Sequence, residues 1–167
     1  MIPGMPSEPK ATTSPISNLW LSDDQQRVWR SWLAGSVRIN RYLDAALRPA
    51  GIDLAEYEIL VALSESPHME SRMADLADTV NQSRSRLTHT VTRMEKRGLV
   101  ERHPSTVDGR GVVAHLTSEG HALLQLNAPT HVQSVRDVFV DVVEPEDFAA
   151  LGRAMDAVLA AAPPLSG

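Results

Sequence analysis

The stretch NQSRSRLTHTVTRMEKRGLVER, residues 81–102, gathers Arg84, Arg86, Arg93, Lys96, Arg97 and Arg102 against only Glu95 and Glu101. The chain around it has 167 residues, a formal net charge of -5 and sixteen Lys and Arg in all. Within the stretch, Leu87, Val91 and Met94 recur at i, i+4 and i+7, which predicts a helix from Arg84 to about Arg97 with one face committed to a core. Ser83 is a good N-cap, and Gly98 stands just past the end, where a left-handed backbone is easiest for glycine. Arg84, Ser85, Thr88, His89, Thr92 and Lys96 are then left facing outward, with Arg86 and Arg93 on the margins.

That outward face has the chemistry of a polyanion reader. Arginine can bond guanine bidentately, Ser, Thr and His supply adaptable hydrogen bonds, and the positive end of the helix favours phosphate. An ordinary solvated helix would carry Glu one turn from its arginines, and the N-terminal half here has none. An acidic total is no obstacle, because binding a polyanion depends on local charge. Residues 69–116 carry eight basic and six acidic residues, while residues 117–167 carry two and seven.

Outward from this helix, RMADLADTV predicts a short preceding helix with Met73, Leu76, Ala77 and Val80 on one side, broken at Asn81-Gln82. LVERHP and GVVAHLT predict two strands around STVDGRG, whose Asp108-Gly109 marks a turn. At such a tip Arg110 is long enough to enter a minor groove, with Asp108 placed to hold it. Upstream, SDDQQRVWRSWLAGSVRINRYLDAALRPAG predicts a long helix capped by Ser22, with Val28, Trp29, Trp32, Leu33, Val37, Tyr42, Leu43 and Leu47 on a broad apolar face. DLAEYEILVALSES predicts a helix that buries Leu54, Tyr57, Leu60 and Val61 and is closed by Pro67. Downstream, Thr117 or Ser118 can cap a helix with a bend expected near Pro129. Pro145 opens a last helix with Phe148, Leu151, Met155, Val158 and Leu159 as its stripe.

The bulk numbers set limits. There is no cysteine, so disulfides and thiol chemistry are excluded. Apolar runs are too short for a membrane span, and the proline-rich start lacks a secretory pattern, so the chain reads as soluble and cytoplasmic with no membrane partner. No phosphate loop, nucleophile elbow or His-Glu-x-x-His run points to an enzyme, and the acid pairs at 23–24 and 144–147 are explained by helix starts. His68, His89, His103, His115, His121 and His131 lack i, i+3 or i+4 spacing, so no metal and no cofactor is expected. His103 and His115, on the two expected strands, are the one pair that could be neighbours.

A helix, a short break, a Ser-capped helix, a glycine and a hairpin together make a winged helix-turn-helix. LADTVNQSRSRLTHTVTRMEKRGLVER followed by DGRGVVAHLTSEG resembles the MarR family of bacterial transcriptional regulators, and the resemblance covers roughly residues 22–161. It implies a mainly α fold with a small β-hairpin wing. The winged helix-turn-helix (51–116) would be flanked by a dimerisation helix (21–50) and C-terminal dimerisation helices (117–162), with a disordered arm (1–20) and a loose tail (163–167) outside them. It implies a homodimer on a pseudo-palindromic operator in double-stranded DNA, with contacts from Ser83 to His89 and from Arg110; with the residues' own chemistry added, the candidate DNA-binding set is Ser83, Arg84, Ser85, Arg86, Thr88, His89, Arg93, Asp108 and Arg110. Repression, by blocking polymerase, is the default. It further implies a small aromatic or anionic effector in a cleft drawing on Trp29, Trp32, Tyr42, Tyr57 and Arg38, with no ligand residue assigned. The alternative is a winged module that binds protein rather than DNA; such a module would show apolar residues across positions 84–93.

Overall fold

The computed structural model describes residues 20–105 and 111–161. The expected arm through residue 19, the wing tip with Asp108 and Arg110, and the tail from 162 lie outside the described residues. The chain forms two compact units, one ending at Val37 and one from Arg38 onward.

The first unit contributes most of helix α1, Asp23–Leu47. Ser22 caps it: its Oγ accepts the Gln25 N–H at 3.3 Å, and the Gln25 Oε1 accepts the Ser22 N–H at 2.9 Å. Along this part of α1 the expected apolar residues Val28, Trp29, Trp32, Leu33 and Val37 are all exposed.

In the second unit the order is α2 (Leu54–Glu65), β1 (Glu70–Arg72), α3 (Met73–Thr79), α4 (Arg84–Lys96), β2 (Val100–Pro104), β3 (Val112–Leu116), α5 (Ser118–Val135) and α6 (Pro145–Ala161). The strands form an antiparallel sheet in the order β1-β3-β2. Strand β1 has only three residues and no periodicity to announce it. It exists because β3 offers it an open edge. The core joins Leu47, Ile52, Ile59, Leu60, Leu63, Leu76, Leu87, Val91, Met94, Val100 and Leu116.

Helix α2 departs from its expected stripe. Tyr57 and Leu60 are buried as expected, but Leu54 and Val61 are only half-buried, while Ile59 and Leu63 are fully enclosed. The reason is position: α2 touches α3, α4, α5, β1 and β3, so burial wraps round it and no single stripe carries it. Helix α5 continues through Pro129 as one α-helix, and the departure from α geometry comes later, in a π turn at Arg136–Val140. No residue of α6 is buried, and Phe148, Val158 and Leu159 of its stripe are exposed.

Two polar devices fasten the sheet to the helices. Gly98, at φ 72°, ends α4; the Leu99 N–H reaches the Met94 carbonyl and the Gly98 N–H the Glu95 carbonyl, each at 3.0 Å. Thr117 then clasps that turn to α5. Its hydroxyl donates to the Gly98 carbonyl at 2.6 Å and accepts the Gly120 N–H at 3.0 Å. The approach is so close that a Cβ on Gly120 would lie 2.1 Å from the Leu99 carbonyl oxygen.

Gly120→Ala therefore forces backbone to move. It should cost about 1–3 kcal/mol in denaturant unfolding, despite the better helix propensity of alanine; an unchanged midpoint would mean the clasp is not rigid. A second prediction concerns His131, whose ring packs against Tyr57 at 4.3 Å between centroids, tilted by 36°, and whose Nδ1 is buried without a partner among the described residues. Burial holds its pKa below the ordinary 6.5. The unfolded chain thus takes up this proton first, so stability is complete above about pH 6.5 and declines as pH falls toward the folded value. His131→Phe should flatten that decline in pH-dependent thermal melts; an equally steep slope would assign it to other groups.

Candidate nucleic-acid interface

Helix α4 is built to show one face. Leu87, Val91 and Met94 have no exposed surface, and Thr90 is 6% exposed. Ser83, Arg84, Ser85, Arg86, Thr88, His89, Arg93 and Lys96 are all exposed, and Thr92 is half-buried. The Ser83 Oγ accepts the Arg86 N–H at 3.3 Å, so the expected cap forms. No acid occupies the first turn. The helix end therefore keeps its positive partial charge unopposed.

The threonines are set by the helix itself. The hydroxyl of Thr88 donates to the Arg84 carbonyl and that of Thr92 to the Thr88 carbonyl, both at 2.8 Å. Their donors are thus spent inward, which leaves the exposed Thr88 its acceptor lone pairs and its methyl for outside contacts. Those suit a base amino group or a thymine methyl.

The six cations of the opening stretch divide into two sets. Arg102 donates from Nε to Glu95 at 3.1 Å, a bond that holds the Glu95 carboxyl below the usual range. Arg93 lies 2.9 Å from Asp53 and 3.3 Å from Glu56, and Arg97 bonds Glu56 at 3.1 Å. Those three are committed to carboxylates. Arg84, Arg86 and Lys96 have no carboxylate within ion-pair distance among the described residues. Arg84 and Arg86 also diverge. Arg84 joins Thr88 in lining a cleft with Arg72, Met73, Gly111 and Val112 at the root of the wing. Arg86 lines a larger polar cleft, about 590 Å³, with Arg41, Asp44, Asp53, Glu58 and Gln82. Burial pushes the Glu58 carboxyl up, and Arg86 partly opposes that.

Arg84, Ser85, Arg86, Thr88 and His89 are thus all exposed behind the Ser83 cap, with Arg84 and Thr88 toward the wing root and Arg86 toward the cleft beside α2. Arg93 is turned to α2, an arrangement no local pattern announces because its partner lies forty residues away. Asp108 and Arg110 lie outside the described residues. One residue absent from the expected set, Arg72 at the end of β1, lines the same cleft as Arg84 and Thr88 just before α3 starts. Of the aromatics expected near an effector, Tyr57 is buried against His131 and Tyr42 is exposed. Among the described residues no three His, Asp or Glu side chains group as metal ligands. His103 faces Val113 across the sheet and His115 faces Glu101, so the two histidines are diagonal rather than opposed.

No described helix is long and apolar enough to cross a membrane. A family model described as MarR family matches residues 50–111. The HTH-type transcriptional repressor Rv2887 of Mycobacterium tuberculosis is 33% identical over 103 residues, 62% of this chain and 72% of that protein. The HTH-type transcriptional regulator PecS of Dickeya dadantii is 31% identical over 113 residues, 66% of this chain and 68% of that protein. Among solved structures, AbsC of Streptomyces coelicolor, a MarR family transcriptional regulator, superposes with a TM-score of 0.79 at 42% identity, covering 84% of this chain and 95% of that one. Sco3205 of the same organism, a MarR family transcriptional regulator solved in complex with DNA, gives 0.82 at 40% identity, covering 87% and 92%. With its helix-turn-helix, its three-stranded sheet and these likenesses together, this chain belongs to the MarR family.

Proposed function

We propose that the protein is a sequence-specific DNA-binding transcriptional regulator acting as a homodimer, by default a repressor. The observation that carries this is the exposed N-terminal half of α4: two arginines with no ion-paired carboxylate among the described residues, a capped helix end and a row of Ser, Thr and His. A protein-binding module would place apolar side chains there. The solved DNA complex of the similar Sco3205 and the repressor name of Rv2887 support the same reading.

Ser83, Arg84, Ser85, Arg86, Thr88 and His89 meet the major groove, and the wing, with Asp108 and Arg110, reaches the adjacent minor groove. A helix fits the major groove and reads it from its N-terminal residues. The exposed apolar residues of α1 and α6 are covered by the second copy, within the dimerisation segments 21–50 and 117–162. Two-fold symmetry then asks for a pseudo-palindrome whose half-sites lie about 10 bp apart. Release by a small aromatic or anionic effector fits the family, and the protein works in the cytoplasm, where its DNA is.

The test is a salt-dependent titration with the intergenic DNA upstream of the protein's own gene. Binding should be far tighter than to random duplex and should weaken steeply with salt. Arg84→Ala and Arg86→Ala should each cost about 1–3 kcal/mol if they read bases. Equal affinity for every duplex, here and in a genome-wide selection of bound fragments, would reject the proposal.

A further inference from the structure

Arg93 in the last turn of α4 and Arg97 at its C-cap lie one turn apart, and both reach the first turn of α2. Arg93 Nη2 stands 2.9 Å from Asp53 Oδ2 and 3.3 Å from Glu56 Oε1. Arg97 Nη1 donates to Glu56 Oε2 at 3.1 Å. These two acids are the two halves of the α2 capping box. Asp53 Oδ1 accepts the Glu56 N–H at 2.8 Å, and Glu56 Oε2 accepts the Asp53 N–H at 3.2 Å. Neither carboxylate can swing away without loosening the start of α2. Glu56 is 4% exposed, so it must keep its cationic partners. The same turn is tied to the C-terminal part of α1, because Asp44 Oδ1 accepts the Leu54 N–H at 3.0 Å while its other oxygen holds Arg48.

The apolar stripe of α4 fixes how deep the helix sits, but hydrophobic contact is non-directional and resists rolling poorly. Guanidinium–carboxylate bonds are directional. We infer that Arg93 and Arg97 are positioning residues, which lock the C-terminal half of α4 onto the α2 capping box and so set the angle at which residues 83–89 meet DNA. The charge of Arg93 is held by Asp53 and Glu56 and is not spent on phosphate. This rests on the DNA-binding reading above.

Asp53→Asn separates the two roles by sign. Asparagine caps a helix as well as aspartate, so α2 still starts, but the shorter of the two ion pairs to Arg93 is lost and only the 3.3 Å contact with Glu56 remains. If Asp53 merely competed with DNA for Arg93, its neutralisation would tighten binding to every duplex. For a positioning pair, preference for operator over random DNA falls roughly tenfold, the size of one good base contact. Arg93→Ala should give the same loss of preference with the salt slope intact, whereas a lost phosphate contact lowers that slope by about one unit. The double variant should be no worse than the poorer single one. Random-duplex affinity, measured alongside, reports that each variant is folded. A wild-type chain that treats every duplex alike removes the DNA-binding reading and this inference with it. A wild-type preference that Asp53→Asn raises or leaves untouched, or that Arg93→Ala reduces along with a unit of slope, removes only the positioning role.

Discussion

The burial of Leu87, Val91 and Met94 is the contact on which the rest of this unit depends. All three are at zero exposure, and they bring α4 against α2, α3 and β2. A helix with three such residues at i, i+4 and i+7 can point only one way. The cationic face is therefore exposed as a consequence of packing, without anything else needed to push it outward. Each buried aliphatic side chain contributes about 1.5–3 kcal/mol relative to exposure. No surface ion pair on the same helix approaches that, since exposed pairs are worth about 0–1 kcal/mol. Hydrophobic burial decides which face is presented, and the polar contacts refine how.

The refinement is concentrated at helix ends. Asp53 and Glu56 cap α2 and hold α4, Gly98 turns the chain out of α4, and Thr117 bolts that turn to α5 through the Gly98 carbonyl. Each of these groups satisfies orphan backbone donors or acceptors while also making a contact between elements. Helix α4 is consequently held at its C-terminal end from two sides, by α2 and by the turn against α5. Its N-terminal end, which carries Arg84 and Arg86, is held by the Ser83 cap and by the burial of Leu87 against the core.

What the sequence made legible follows from the range of each interaction. The Ser83 and Thr117 caps, the Gly98 terminator, the two wing strands and the aliphatic stripe of α4 all depend on residues within a few positions, and all are present. The burial of Ile59 and Leu63 was not legible, because α2 is enclosed by elements that arrive from elsewhere in the chain. Strand β1 was missed for a related reason: Glu70–Arg72 has no strand pattern of its own and takes its conformation from β3. For the site, Ser83–His89 was readable as an exposed cationic surface. The engagement of Arg93 was not, since a basic residue on a helix margin looks the same whether it faces solvent, phosphate or a carboxylate forty residues away.

The partition of charge resolves the apparent conflict between an acidic chain and a basic surface. Glu56, Glu95 and Asp53 neutralise Arg93, Arg97 and Arg102, so the C-terminal half of the segment is close to balanced. Within the segment, Arg84, Arg86 and Lys96 have no ion-pair partner among the described residues, and two of these three stand in the first turn of α4. There the helix dipole adds to them, since no acid lies in that turn. Screening at physiological salt acts over about 8 Å, so acidic residues farther off barely weaken this local field. A net charge of -5 with a locally positive helix start makes the potential round the molecule uneven, repelling a polyanion from most of the surface and least from that turn.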